Sequence, residues 1–225
     1  MCGRYTLTSS GEDVADLFAL LEIPSIPPRY NMAPTQEAAV VRVAEPGAPR
    51  TLSFLRWGLV PYWAKEAAIG NRMINARAES VAEKPAYKSS FRRKRCLIPT
   101  SGFYEWKKEG KSKQPYLIRR KDHRPFAFAG LWDRWKDPDN GPLETFTILT
   151  TDANEHVRAL HDRMPVILAR EDFDLWLDPK VGDVDRLQPL LVPLAGDDLE
   201  FVRVSRNVNS PANDTPDCIE PLVED

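Results

Sequence analysis

Cysteine, histidine and glycine are all scarce in this sequence of 225 residues, which has three Cys, three His and eleven Gly. The cysteines, Cys2, Cys96 and Cys218, are odd in number and show no CxxC spacing, which argues against a disulfide framework and against a structural zinc site. His156 and His161 stand five apart, the wrong spacing for two ligands on one helical face, and no HExxH occurs. No metal and no cofactor are therefore expected. No apolar run is long enough to span a bilayer. The opening MCGRYTL has neither the basic stretch nor the apolar block of a signal peptide. The expected setting is a reducing, cytoplasmic one, without a membrane partner. Few glycines against 20 prolines suggest ordered loops more than flexible linkers. Repeats and low-complexity stretches are also lacking.

What is present fits a soluble globular chain: 42% hydrophobic and 28% charged residues, enough for one sizeable core. The net charge of −2 hides an asymmetry. Lys84–Lys121 holds thirteen Lys or Arg and two acids, Glu105 and Glu109, whereas Glu171–Asp225 holds fourteen acids and four basic residues. Blocks of this kind are usually solvated faces. Here the basic block is interleaved with Phe91, Phe103, Tyr104, Trp106 and Tyr116, a combination suited to single-stranded nucleic acid.

Ser9 and Glu12 have capping-box spacing before Val14, Leu17, Phe18 and Leu21, predicting a first helix that ends before Pro24. Strands are predicted at 38–43 and 52–57, with a short helix near 76–82. A strand-rich centre follows at 95–98, 102–107, 115–119, 125–131 and 144–150, and a turn at Gly110 makes a hairpin of the second and third of these. Lys136–Pro142 reads as a surface loop. A helix capped by Thr151 or Asp152 is predicted to run to about Leu160, with further helices at 171–177 and 184–191 and a strand at 200–204. The pattern indicates one α+β domain over residues 1–225, built on a curved, largely antiparallel sheet with flanking helices.

Cys2 follows Met1, and a small second residue permits removal of the initiating methionine. The exposed Cys2 then carries a free α-amine beside its thiol, with ordinary pKa values of about 7.7–8.0 and about 8.5. Such a 1,2-aminothiol condenses with an aldehyde to an imine and closes on it to a thiazolidine, which an internal cysteine cannot do. The bland alternative is an incidental residue in a frayed terminus. Cys96, in an apolar run, reads as a small buried hydrophobe. On the strand 102–107, Phe103, Glu105 and Lys107 share one face while Tyr104 and Trp106 share the other. Glu105 is a candidate general acid or base, or else an ordinary glutamate paired with a lysine. His161, expected after a helix C-terminus, can titrate in a useful range. Asn75, Arg77 and Glu79 mix an amide, a cation and an acid, which capping alone could explain.

Taken together, MCGRY, RYNMAPTQ (Arg29–Gln36), RWGLVPYWAK (Arg56–Lys65), NARAES (Asn75–Ser80), RCLIPTSGFYEWKK (Arg95–Lys108), HDRMPVIL (His161–Leu168), VSRNVNS (Val204–Ser210) and IEPL (Ile219–Leu222) resemble the SRAP family, named for SOS-response-associated peptidases, across essentially the whole chain. The resemblance implies a partly open β-barrel with flanking helices. It also implies binding of single-stranded DNA and a covalent thiazolidine link to the ring-opened aldehyde of an abasic site. By position, Cys2 matches the family's nucleophile, and Asn75, Glu105 and His161 match its catalytic polar residues. Arg4, Arg77 and Arg163 match its phosphate contacts. Pro34, Trp63 and Trp106 fall where the family packs against unstacked bases, and Tyr62 replaces a small residue common before that tryptophan. A monomer is expected.

Three rival readings stand beside this one. Class II glutamine amidotransferases also begin Met-Cys-Gly and use the cysteine thiol with its own amine as base, but the rest of their pattern is missing. A thiol peptidase using Cys2, Glu105 and His161 follows from the family's name. A reader of modified bases would use Cys2 only as a contact.

Overall fold

The computed structural model describes residues 2–137 and 141–222. Its strands are β1 (Tyr5–Leu7), β2 (Arg29–Met32), β3 (Glu37–Val43), β4 (Arg50–Trp57), β5 (Asn75–Arg77), β6 (Arg95–Thr100), β7 (Gly102–Glu109), β8 (Ser112–Arg120), β9 (Phe126–Asp137), β10 (Gly141–Asp152), β11 (Arg163–Pro165), β12 (Ile167–Leu168) and β13 (Leu199–Arg203). The α-helices are short: α1 (Gly11–Phe18), α2 (Lys88–Arg93), α3 (Phe173–Leu177) and α4 (Val184–Leu187).

Five strands close on themselves. β3 pairs with β4 and β6, β6 with β9, β9 with β10, and β10 with β4. All of these contacts are antiparallel except β10–β4. A second sheet runs in the order β13-β8-β7-β1-β2. The result is an α+β domain with a partly closed barrel of five strands, as the resemblance implies.

The two-residue period of the strands explains how both sides of the ring are filled. On β6, Cys96 and Ile98 join a cluster with Tyr5, Phe103 and Ile118 of the second sheet, whereas Leu97 joins Val14 and Phe18 of α1 and Trp176 of α3. β9 alternates likewise, with Phe126 and Phe128 in the first cluster and Ala127 and Ala129 in the second. Cys96 is thus a buried core residue, as its apolar run suggested. Gly130 on β9 leaves no room for a side chain: a Cβ there would lie 2.2 Å from the Ile98 side chain and 3.0 Å from the Thr147 carbonyl oxygen.

The strand predictions hold, mostly with longer bounds, and Gly110 makes the β7–β8 turn with a φ of +60°. Of the five helical expectations, those at 76–82 and after Thr151 do not hold, and the other three hold with altered bounds or helix type. The capping box is formed by Ser10 and Asp13, one residue later than expected, and α1 ends at Ala19 in a left-handed conformation. That stop leaves Leu21 off the helix and 82% exposed. The segment Asn75–Arg77 is a strand parallel to β10, continuing into a single 3-10 turn at Ala78–Ser80. Here the unpaired edge of β10 outcompetes local helix propensity. The long helix after Thr151 is replaced by one 3-10 turn, Val157–Ala159. β10 runs on through Asp152 because Thr150–Asp152 pair with β11, so neither Thr151 nor Asp152 caps a helix; the turn begins at His156, and Asn154 Oδ1 accepts the Val157 N–H at 2.9 Å. The segments at 171–177 and 184–191 each divide into a 3-10 turn and a short α-helix. Of the expected loop Lys136–Pro142, Lys136 and Asp137 end β9 and Gly141 and Pro142 begin β10, so a paired ribbon replaces it there; Pro138–Asn140 lie outside the described residues.

Candidate active site

The site forms where the second sheet meets the end of β5. The antiparallel register Tyr5↔Phe103 continues as Tyr104 N–H donates to the Arg4 carbonyl at 3.0 Å. Running that register back carries Cys2 alongside Glu105 and Trp106. Cys2 is fully buried, and its Sγ lies 3.8 Å from the Arg4 carbonyl oxygen. Burial, reinforced by the negative charge of Glu105, pushes the Cys2 thiol far above its ordinary value, so in this arrangement it is protonated.

Asn75 reaches across from β5 and donates from Nδ2 to the Cys2 carbonyl at 2.9 Å. Its Oδ1 is buried and has no hydrogen-bond partner among the described residues. A buried acceptor left unsatisfied costs roughly 1–3 kcal/mol, so this one is poised for a donor.

Glu105 is 3% exposed on β7. Burial pushes its carboxyl up to about 7, against the opposing pull of the chain's N-terminal positive charge. It is therefore divided between acid and base near neutrality. Glu105 and His161 line the same open pocket of about 470 Å³ with Trp106, Lys113 and Asn209. Burial, then the N-terminal charge, holds His161 below its ordinary 6.5. His161 Nδ1 accepts the backbone N–H of Arg163 at 2.9 Å and also lies 2.8 Å from Asp162 Oδ1. A carboxyl divided between acid and base near neutrality, with a histidine on the same pocket, is an arrangement that suits general acid–base chemistry.

The expected phosphate contacts fall into two kinds. Arg77 is exposed and makes no ion pair among the described residues. Arg4 is largely engaged, donating to Asn31 Oδ1 at 2.7 Å, the Val208 carbonyl at 2.6 Å and the Asn209 carbonyl at 3.2 Å. Arg163 is gripped by Glu79, Asp152 and the Thr150 carbonyl. Trp106 donates from Nε1 to Asn209 Oδ1 at 2.7 Å. Trp63 and Tyr62 are exposed in a turn anchored by the Tyr62 N–H on Asp133 Oδ2 at 2.9 Å. Pro34 is half-buried in a tight turn whose next residue, Thr35, has a φ of 73°.

The structure thus brings Cys2 and Asn75 into contact, sets Glu105, His161 and Trp106 around one pocket, and leaves Arg77 and Trp63 exposed. Asn209, Lys113 and Asp152 were not singled out as site residues, and Glu79 was named only with Asn75 and Arg77 as an acid that capping could explain. Lys113 carried a signal as part of the basic block, and Asn209 as part of VSRNVNS. Among the described residues no group of three or more His, Cys, Asp or Glu side chains is arranged to hold a metal ion. No helix there is long and apolar enough to cross a membrane.

The chain has clear relatives. It is 46% identical over 224 residues to the abasic site processing protein YoqW of Bacillus subtilis, with 98% of this chain and 99% of that protein aligned. It is 35% identical over 225 residues to the abasic site processing protein HMCES of Gallus gallus, covering 87% of this chain and 66% of that one. A crystal structure of a protein from Bacteroides thetaiotaomicron superposes with a TM-score of 0.87 at 27% identity, over 99% of this chain and 100% of that one. The family described as SOS response associated peptidase (SRAP) matches residues 1–211, and the chain belongs to that family.

Proposed function

We propose that this protein traps abasic sites in single-stranded DNA as a covalent adduct of Cys2, once removal of Met1 has freed the α-amine of that residue. The relatives' naming as abasic site processing proteins gives the substrate class. The observation that carries the mechanism is Asn75, which holds the Cys2 carbonyl through Nδ2 and keeps a buried, unsatisfied Oδ1 beside it. That acceptor suits an N–H of the freed amine or a hydroxyl of the opened sugar.

In the proposed reaction the neutral amine adds to the aldehyde carbon and the carbinolamine loses water to form an imine. The Cys2 sulfur then bonds to the same carbon while its proton passes to nitrogen, giving the five-membered thiazolidine. Glu105, divided between acid and base near pH 7, can donate a proton to the departing hydroxyl and accept one from the thiol. It answers the burial that keeps the thiol protonated: the base lies alongside it. His161, neutral at the pocket wall, serves as a second proton carrier during closure or reversal.

Arg77 is the arginine best placed to take a phosphate, being exposed and in no close ion pair among the described residues, with only the longer-range charge of Glu79 acting on it. Arg4 and Arg163 spend most of their donors on the protein itself, and their phosphate contacts would use what remains. Lys107, Lys108, Lys111 and Lys113, exposed on the β7–β8 hairpin, extend the cationic surface from the pocket, and Trp63, Trp106 and Pro34 offer surfaces for unstacked bases. The protein is proposed to act as a monomer. A denaturing gel of the protein mixed with single-stranded DNA containing one abasic site tests the reading. A heat-stable, slow-migrating band is expected, and its absence would defeat the proposal.

A further inference from the structure

The guanidinium of Arg163 joins two segments that carry different site residues. Nη1 donates to Glu79 Oε1 and to Asp152 Oδ1, both at 2.7 Å. Nη2 donates to Glu79 Oε2 at 3.0 Å and to the Thr150 carbonyl at 2.6 Å. The Glu79 contact is therefore the two-pronged fork that fixes an arginine in orientation as well as position. Glu79 lies four residues after Asn75, immediately beyond β5, and Arg163 begins β11, two residues after His161. The Arg163 side chain is only 13% exposed, although both carboxylates reach solvent.

His161 depends on what Arg163 does. Its Nδ1 faces two neighbours with opposite demands. The Arg163 backbone N–H, at 2.9 Å, requires an unprotonated Nδ1, whereas Asp162 Oδ1, at 2.8 Å, would accept a proton from it. Asp162 is 85% exposed and screened by water, so the outcome turns on how firmly the Arg163 amide is held.

We propose that Glu79 is a positioning residue: by clamping Arg163 it holds the β5 segment bearing Asn75 against the turn bearing His161, and it keeps the His161 proton on Nε2, the nitrogen that does not face the Arg163 amide. This rests on the proposed function only for its kinetic consequence. The clamp itself is a statement about the folded protein. It also assigns Arg163 a task inside the protein, with phosphate contact secondary.

The test compares wild type with Glu79→Gln, which keeps shape and one acceptor, and with Glu79→Ala, which keeps neither. Imidazole nitrogen NMR of the protein without DNA reads the tautomer directly. The neutral His161 ring is expected as the Nε2–H form in wild type and as a mixture in Glu79→Ala. An unchanged His161 spectrum in both variants would overturn the proposal. Single-turnover crosslinking at saturating abasic single-stranded DNA is expected to slow about tenfold or more in Glu79→Ala, with Glu79→Gln intermediate and affinity unchanged or tighter. The opposite split, weaker binding with an unchanged rate once bound, would make Glu79 part of DNA binding and overturn the proposal. If wild type forms no adduct at all, the functional reading fails, while the NMR comparison still decides the clamp.

Discussion

At the scale of single residues, the site combines a buried thiol, a buried carboxyl and a half-buried imidazole, and their titrations follow from burial more than from charge pairing. Glu105 has the largest consequence. Its folded-state value of about 7 lies above its ordinary 4.5, so the folded protein holds a proton that the unfolded chain has released across that interval. The associated stability is fully present below about pH 4.5 and is lost as pH rises through about 7. Glu105→Gln removes that loss, so the variant should gain stability over wild type between pH 5 and pH 8, by ~3 kcal/mol at most. Thermal melts at both pH values check this, and an equal gain at both would contradict it. The same substitution removes acid–base capacity while preserving shape. It should slow crosslinking far more than it weakens DNA binding, and an equal fall in rate and affinity would reduce Glu105 to a binding residue. That Glu105 shares a strand face with Phe103 was legible from alternation along Gly102–Lys107. That Asn75 touches Cys2, 73 residues away, was not, because only the packing of β5 on β10 brings the two segments together.

At the scale of elements, strands were far more legible than helices. Short apolar runs such as Glu37–Val43 and Phe126–Asp137, rich in β-branched or aromatic residues, read as strands, and the Gly110 turn fixes the hairpin. The helical expectations at 76–82 and after Thr151 failed for one reason. Both segments had local capping and propensity signals, yet β10 claimed part of each: Asn75–Arg77 pairs with it, and Thr151 and Asp152 belong to it and pair with β11. The closing segment, 205–222, has no strand of its own, and side chains tie it to β2. Asp214 Oδ1 accepts the backbone N–H groups of Tyr30 at 2.6 Å and Asn31 at 2.9 Å, its other oxygen pairs with Arg29, and Asn31 Nδ2 donates to the carbonyls of Val208, Ser210 and Asn213. Asp214→Ala strips the Tyr30 and Asn31 backbone N–H groups and Arg29 of their acceptor and should destabilise the fold by about 1–3 kcal/mol in urea denaturation. It should also loosen Asn209, the partner of Trp106 at the pocket. Asp214→Asn, which keeps an acceptor, should cost less, and equal costs would show that the ion pair with Arg29 dominates instead.

At the scale of the whole molecule, an acidic average charge coexists with a run of exposed lysines on the β7–β8 hairpin and with the exposed Arg77. Binding to single strands should therefore weaken steeply with added salt, independently of base sequence. Arg77→Ala should flatten the dependence of log affinity on log salt by roughly the 0.7 expected for one phosphate on a single strand, and an unchanged slope would remove Arg77 from the interface. In the proposed function the barrel and the second sheet serve one end: they set buried Cys2 beside Glu105, which lines a pocket with His161. The central claim is that Cys2 works as a 1,2-aminothiol and not as a thiol alone. The most direct measurement leaves Cys2 in place and blocks its α-amine, by acetylation or by one additional residue, before mixing with abasic single-stranded DNA. No adduct should form, with or without borohydride, while the unblocked protein gives a heat-stable band. A stable DNA adduct from the blocked protein would contradict the account.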